Sequence, residues 1–104
     1  MLHMVVATHG PETCSYVSEK IRILAIESAK RVNESAKAKG CKIVGAWSSR
    51  ANHTLYFVVD GPNAHMVEQL IFDLRFHEWQ STSIQPVFDM NEAVGGLGSY
   101  NVLG

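Results

Sequence analysis

KIVGAWSSRANHTLYFVVD, residues 42–60, is the stretch on which the fold turns. Ile43 to Trp47 and Thr54 to Val59 are rich in β-branched and aromatic residues. Between them, Ser48 to His53 is polar and contains Asn52, a residue that tolerates positive φ, so the pattern predicts two strands joined by a turn. Side chains alternate along a strand, which puts Leu55, Phe57 and Val59 on one face and Thr54, Tyr56 and Val58 on the other. Both faces are substantially apolar. A strand with one face in water would alternate with charge, so Thr54–Val59 is expected at the centre of a sheet and covered on both sides.

Working outward, Leu2 to Thr8 reads as a first strand stopped by His9-Gly10-Pro11. Apolar or small residues at Cys14, Val17, Ile21, Leu24, Ser28, Val32 and Ala36 then predict one helix from Pro11 to Lys39, ended by Gly40. Such a helix would run about 40 Å against strands of about 25 Å, so it must overhang the sheet, kink or break. Asp60-Gly61-Pro62-Asn63 opens a second helix, with Asp60 or Gly61 as cap and Pro62 at the first helical position. Its core stripe is Ala64, Val67, Leu70, Ile71 and Leu74. Phe72, Phe76 and Trp79 make a second apolar face that would suit a partner. Thr82 to Met90 is the fourth strand, and Pro86 within it, lacking an N–H, assigns it to a sheet edge.

The order β-α-β-β-α-β with right-handed crossovers predicts an α+β, ferredoxin-like domain: a four-stranded antiparallel sheet ordered 4-1-3-2 with two helices on one face. The domain is expected over residues 1–94, followed by a glycine-rich tail over 95–104 that either adds a strand across a subunit boundary or stays disordered. One sheet face is left bare, which predicts a homodimer packed through it, and higher oligomers remain open.

Composition excludes several classes. A chain of 104 residues suits one domain, and 9 basic against 10 acidic residues give no footprint for nucleic acid. No apolar run reaches the roughly 18 to 20 residues of a membrane span, and the first residues lack a basic leader, so a soluble cytoplasmic protein is expected. Cys14 and Cys41 would lie about 40 Å apart along an unbroken helix, beyond the roughly 7 Å of a disulfide, and read as free thiols in a reducing compartment.

Four short signatures, Met4-Val5, Gly45-Ala46-Trp47, Val58-Val59-Asp60-Gly61-Pro62 and Ile84-Gln85-Pro86-Val87, together resemble the dimeric α/β-barrel superfamily and are most similar to its small uncharacterised families. The resemblance implies two ferredoxin-like subunits packed sheet to sheet around a cavity. It also implies a choice among lactone isomerases, quinone-type and haem-degrading monooxygenases, stress-response proteins and ligand-sensing domains. The long first helix, residues 76–81 and the tail depart from the short members, so no catalytic residue carries over. The haem-degrading branch places an asparagine on the first strand and a tryptophan and histidine near the second helix. This chain has His77 and Trp79 but no asparagine between Leu2 and His9.

The residues with chemistry to offer are mostly histidines. His3, His9, His53, His65 and His77 have no metal-site spacing, and His3 and His9 would lie about 20 Å apart along one strand. Isolated surface or strand-end histidines are the plainer reading, and no metal ligands are assigned. Trp47 and Tyr56 on neighbouring strands suit an apolar pocket or, equally, a dimer interface. The candidate ligand-binding set is Trp47, His53, Tyr56, His77 and Trp79. No cofactor is expected, although haem or a metal ion held by histidine stays open. Arg50, Arg75 and Asp73 read as solvated, and Gly95-Gly96-Leu97-Gly98 lacks the context of a phosphate loop.

No nucleophile–base or paired-carboxylate signature is present, and whether the chain is an enzyme is left open. If it is one, a small monooxygenase-like or isomerase-like activity is implied by the resemblance. The leading expectation is a homodimer that binds or transforms a small apolar or aromatic molecule between the two sheets. A non-catalytic sensing or assembly module and a histidine-dependent metal or haem protein are the alternatives.

Overall fold

The computed structural model describes residues 1–95. Its strands are β1 (Leu2–Thr8), β2 (Lys42–Ser49), β3 (Thr54–Asp60) and β4 (Ser81–Val87), and its helices are α1 (Glu19–Ala38), α2 (Ala64–Asp73) and α3 (Met90–Gly95). The four strands form one antiparallel sheet in the order β2-β3-β1-β4. Thr54–Asp60 is therefore flanked on both sides, while among the described residues β4 pairs only with β1 and carries Pro86 at the sheet edge, opposite His3.

One face of the sheet is covered. Val5, Ala7 and Val59 point to it and pack with Ala36 of α1 and Val67, Leu70 and Ile71 of α2 in a buried cluster. Each fully buried aliphatic side chain there, such as Leu70 and Val67, stabilises the fold by about 1.5–3 kcal/mol. The opposite face carries Met4, Val6, Tyr56, Val58 and Trp47, none of which is buried within one chain. On that face the Trp47 ring lies over Gly45, where a Cβ would collide with the ring, so the glycine makes room for the indole.

The first helix differs from the expected Pro11–Lys39 span. Pro11–Thr13 is a single 3₁₀ turn, and the Cys14 carbonyl then accepts from the N–H groups of Val17 and Ser18. Ser18 caps a separate α1, its Oγ accepting from the Ile21 N–H at 3.3 Å. The break resolves the length mismatch, since 20 residues span about 30 Å. It also moves two residues off the helical stripe: Cys14 is buried in the connection, and Val17 is 70% exposed. From Ile21 onward, the stripe through Leu24, Ser28 and Ala36 is buried.

Other boundaries shift for local reasons. Asn63, not Asp60 or Gly61, caps α2, accepting from the Met66 N–H at 2.9 Å, so Pro62 precedes the helix. The turn between β2 and β3 is a 3₁₀ turn over Arg50–Asn52, and the left-handed residue is His53 (φ 51), not Asn52. The fourth strand starts at Ser81 and ends at Val87 rather than running on to Met90, which begins α3. α2 stops at Asp73, and Arg75 takes φ 62, turning the chain so that Phe76 and Trp79 fold back into the core. The apolar face foreseen for a partner thus closes within the chain, apart from Phe72, which is 52% exposed. The tail after Gly95 lies outside the described residues.

Candidate functional site

A cavity of about 410 Å³ lies between α1 and the covered face of the sheet. The space opens to the surface past the exposed Tyr16, Ala46 and Arg50, and its size falls within the range of small-ligand sites. Short side chains account for it. α1 presents Ala25, Ser28 and Ala29, and β2 faces them with Ala46, so the two layers do not interdigitate there. Leu55 and Phe57 line the sheet wall, and Phe76 and Trp79 close one end. The Phe76 ring is 5.5 Å from Phe57 and 6.0 Å from Trp79, an aromatic corner in the usual stacking range.

Three of the residues lining the cavity, His9, Cys14 and His53, converge. His9 follows β1, Cys14 sits in the break before α1, and His53 closes the turn immediately before β3. One ligand atom from each, a ring nitrogen from either histidine and the Cys14 sulfur, lies within 4.8 Å of the other two. The backbone fixes this convergence, because the His9 N–H donates to the His53 carbonyl at 3.1 Å and extends the ladder of β1 and β3. The two imidazoles meet edge to face at 5.3 Å, and Trp79 lies 5.2 Å from His9 on another side. Gln80 Oε1 is 3.4 Å from His9 Nδ1.

Several polar atoms beside this cluster are buried without a protein partner: His53 Nδ1, Trp79 Nε1 and Gln80 Nε2. A buried donor or acceptor left unpaired costs about 1–3 kcal/mol, so the unpaired atoms of the cavity-lining His53 and Trp79 favour a bound species that would satisfy them, while Gln80 lies outside the lining. No carboxylate is among the residues lining the cavity. The lining cation, Arg50, has its guanidinium 5.7 Å from the Tyr16 ring, in cation–π range.

No family model and no curated protein matches the chain. Among solved structures, the fold is similar to that in the crystal structure of SCO4226 from Streptomyces coelicolor A3(2), with 19% sequence identity, 82% of this chain and 94% of that chain covered, and a TM-score of 0.51. The likeness supports a small α+β domain with a four-stranded antiparallel sheet and helices.

Of the five candidate residues named from sequence, His53 and Trp79 line the cavity. Trp47 and Tyr56 are opposite each other in the ladder of β2 and β3, on the other side of the sheet, and are 60% and 37% exposed. His77 is exposed and stacks on Phe72 with ring centroids 4.3 Å apart. His9 and Cys14 were missed. Assigning Cys14 to a continuous helix removed it from the end of β1, whereas the strand stop at His9-Gly10-Pro11 already placed the two close together in the chain. His3 is fully buried with both ring nitrogens unpartnered, but it is not among the residues lining the cavity.

The groups expected to be solvated have partners. Arg75 forms a two-pronged pair with Glu78 at 2.5 and 2.8 Å, whose hydrogen bonds hold the Glu78 carboxyl below its ordinary range. Asp73 is held low by a hydrogen bond from Ser35 and by Lys39, whose Nζ is 3.4 Å away. Among the described residues no helix is long and apolar enough to cross a membrane.

Proposed function

We propose that this protein binds a small, largely apolar molecule in the cavity between α1 and the sheet, with His9, Cys14 and His53 presenting polar groups at one side of it. The observation that carries this reading is the 410 Å³ space itself, walled by Ala25, Leu55, Phe57 and Phe76. A flat, one-donor aromatic such as naphthol matches the aliphatic and aromatic walls and the histidine–cysteine corner. Calorimetric titration with naphthol tests it. One saturable site per chain is expected, weakened at least tenfold in Ala25→Phe, whose ring would fill the space, and unchanged in the surface variant Phe72→Ala. Absence of binding, or equal affinity in Ala25→Phe, would sink the proposal. The reading needs no reaction and is compatible with a sensing module.

A second reading concerns assembly. We infer that the uncovered face, with Tyr56 paired to Trp47 and Met4, Val6 and Val58 beside them, packs against the same face of a second copy, in a ferredoxin-like dimeric barrel. Tyr56 and Trp47 would then border a second, inter-sheet cavity. Sedimentation should give twice the 11.5 kDa of one chain, and Tyr56→Asp should shift it toward the monomer. A monomer at high micromolar concentration would refute this. The two buried, unbridged cysteines support a reducing, cytoplasmic setting.

A further inference from the structure

We propose that His9, Cys14 and His53 form a binding site for one divalent transition-metal ion of the zinc class, with a fourth coordination position open to the cavity. The inference goes beyond the binding of an apolar molecule and stands whether or not one binds.

Geometry is the first ground. The three ligand atoms lie within 4.8 Å of one another. Ligands around tetrahedral zinc, at about 2.0–2.3 Å from the ion, are separated by about 3.3–3.8 Å, so the site closes with ring and sulfur movements of about 1 Å. Their supports are rigid where it matters. His9 and His53 are tied by the backbone bond between them, and the Cys14 carbonyl accepts from two N–H groups in the turn before α1. Cys14 is 6% exposed, and His53 is only half-buried.

The chemistry of the donor set is the second ground. Two imidazoles and a thiol with no carboxylate select a borderline ion such as Zn²⁺ or Co²⁺ over Mg²⁺ or Ca²⁺, which take oxygen ligands. One thiolate leaves the filled site with a single net positive charge. Three protein ligands with a fourth position open is the arrangement of sites that bind water or an exogenous donor, whereas structural zinc is enclosed by four.

The surroundings are the third ground. Gln80 Oε1 is 3.4 Å from His9 Nδ1, placed to accept in the tautomer that carries its proton on Nδ1 and its lone pair on Nε2. His53 Nδ1 has no protein partner and is buried, as are the donors Trp79 Nε1 and Gln80 Nε2. His53 is also held at φ 51, ψ 42, a left-handed conformation uncommon for a residue with a Cβ, of the kind that concentrates at functional sites.

Co²⁺ tests the proposal, since a thiolate-bound tetrahedral cobalt ion has intense visible bands and a sulfur-to-metal charge-transfer band. Untagged protein, stripped with a chelator, should take up one Co²⁺ per chain with both features, and Zn²⁺ should displace it. Cys14→Ser should abolish the charge-transfer band and weaken binding at least tenfold. His53→Asn, which keeps a residue suited to the left-handed region, should weaken binding similarly with an unchanged far-ultraviolet circular dichroism spectrum. The distant variant His77→Ala should bind as wild type. Substoichiometric uptake, a spectrum without the charge-transfer band, or binding that survives both Cys14→Ser and His53→Asn would overturn the site. Naphthol titration of the chelator-stripped protein is read separately, so loss of the metal site and loss of the apolar site are distinguishable.

Discussion

Ser28 is the side chain through which α1 is fastened to the end of α2. It is 3% exposed, and its hydroxyl donates to the Leu74 carbonyl at 2.7 Å across the floor of the cavity. Leu74 is the residue that ends α2, where the last carbonyls lack helical partners and need another donor. Ser28→Ala removes that donor and leaves a carbonyl in a buried setting, at a cost of about 1–3 kcal/mol. The substitution also replaces serine by a better helix former within α1, which returns about 0.5 kcal/mol. The net expectation is a loss of about 0.5–2.5 kcal/mol, large against the 5–15 kcal/mol that holds a domain of this size together. Urea denaturation followed by circular dichroism should show a lower midpoint with an unchanged slope, and the melting temperature should fall by a few degrees or more. Stability equal to or above wild type would mean that the bond contributes nothing net and that the packing of Leu24, Ala36 and Leu70 alone sets the position of α1.

Three further outcomes are expected. Asn63→Ala deletes the cap of α2 and should cost about 1 kcal/mol in the same urea assay, with Asn63→Asp near wild type. Asp60, held low by the hydrogen bond and charge of the N-terminal ammonium, Asp73 and Glu78 all have folded pKa values below their unfolded ones. Their contribution to stability is complete above the ordinary carboxylate range and is lost as pH falls through it, below about 4. The variant Asp60→Asn/Asp73→Asn/Glu78→Gln should flatten the acid limb of the melting-temperature profile, and an identical limb would refute the assignment. Burial pushes the Cys41 thiol up, so in Cys14→Ser it should alkylate more slowly at pH 8 than in the urea-unfolded chain, and equal rates would contradict its placement.

Much of the sheet was legible because its signals are local. Alternation in Thr54–Val59 with apolar residues on both faces, Pro86 in β4 and the stop at His9-Gly10-Pro11 each constrain one strand by backbone chemistry that no tertiary contact overrides. The break in the first helix was harder to read, because apolar residues at Cys14 and Val17 continue the helical period by coincidence. The decisive signal was Ser18, a cap residue lying inside the periodic run, with Glu19 opening the true first turn. Likewise Arg75 has no side-chain feature that announces a left-handed turn, yet that turn carries Phe76 and Trp79 away from a second surface and into the core.

The candidate site illustrates the limit in physical terms. Trp47 and Tyr56 were visible because aromatics on a two-faced strand stand out one residue at a time, whereas the cavity is made by residues that stand out for being small. Ala25, Ala29 and Ala46 carry no chemistry, Ser28 commits its hydroxyl to the Leu74 carbonyl, and only their alignment between α1 and β2 leaves space. The histidine–cysteine cluster depends on the same geometry. His53 reaches it because the hairpin of residues 42–60 closes with His53 itself in the left-handed position, and Cys14 because the chain breaks before Ser18. Had α1 begun at Pro11, Cys14 would have been fixed on a helical face, and its turn-held position beside the end of β1 would not exist. The break is therefore the step that brings Cys14 to the histidines, and the same hairpin that sets the fold presents His53 to it.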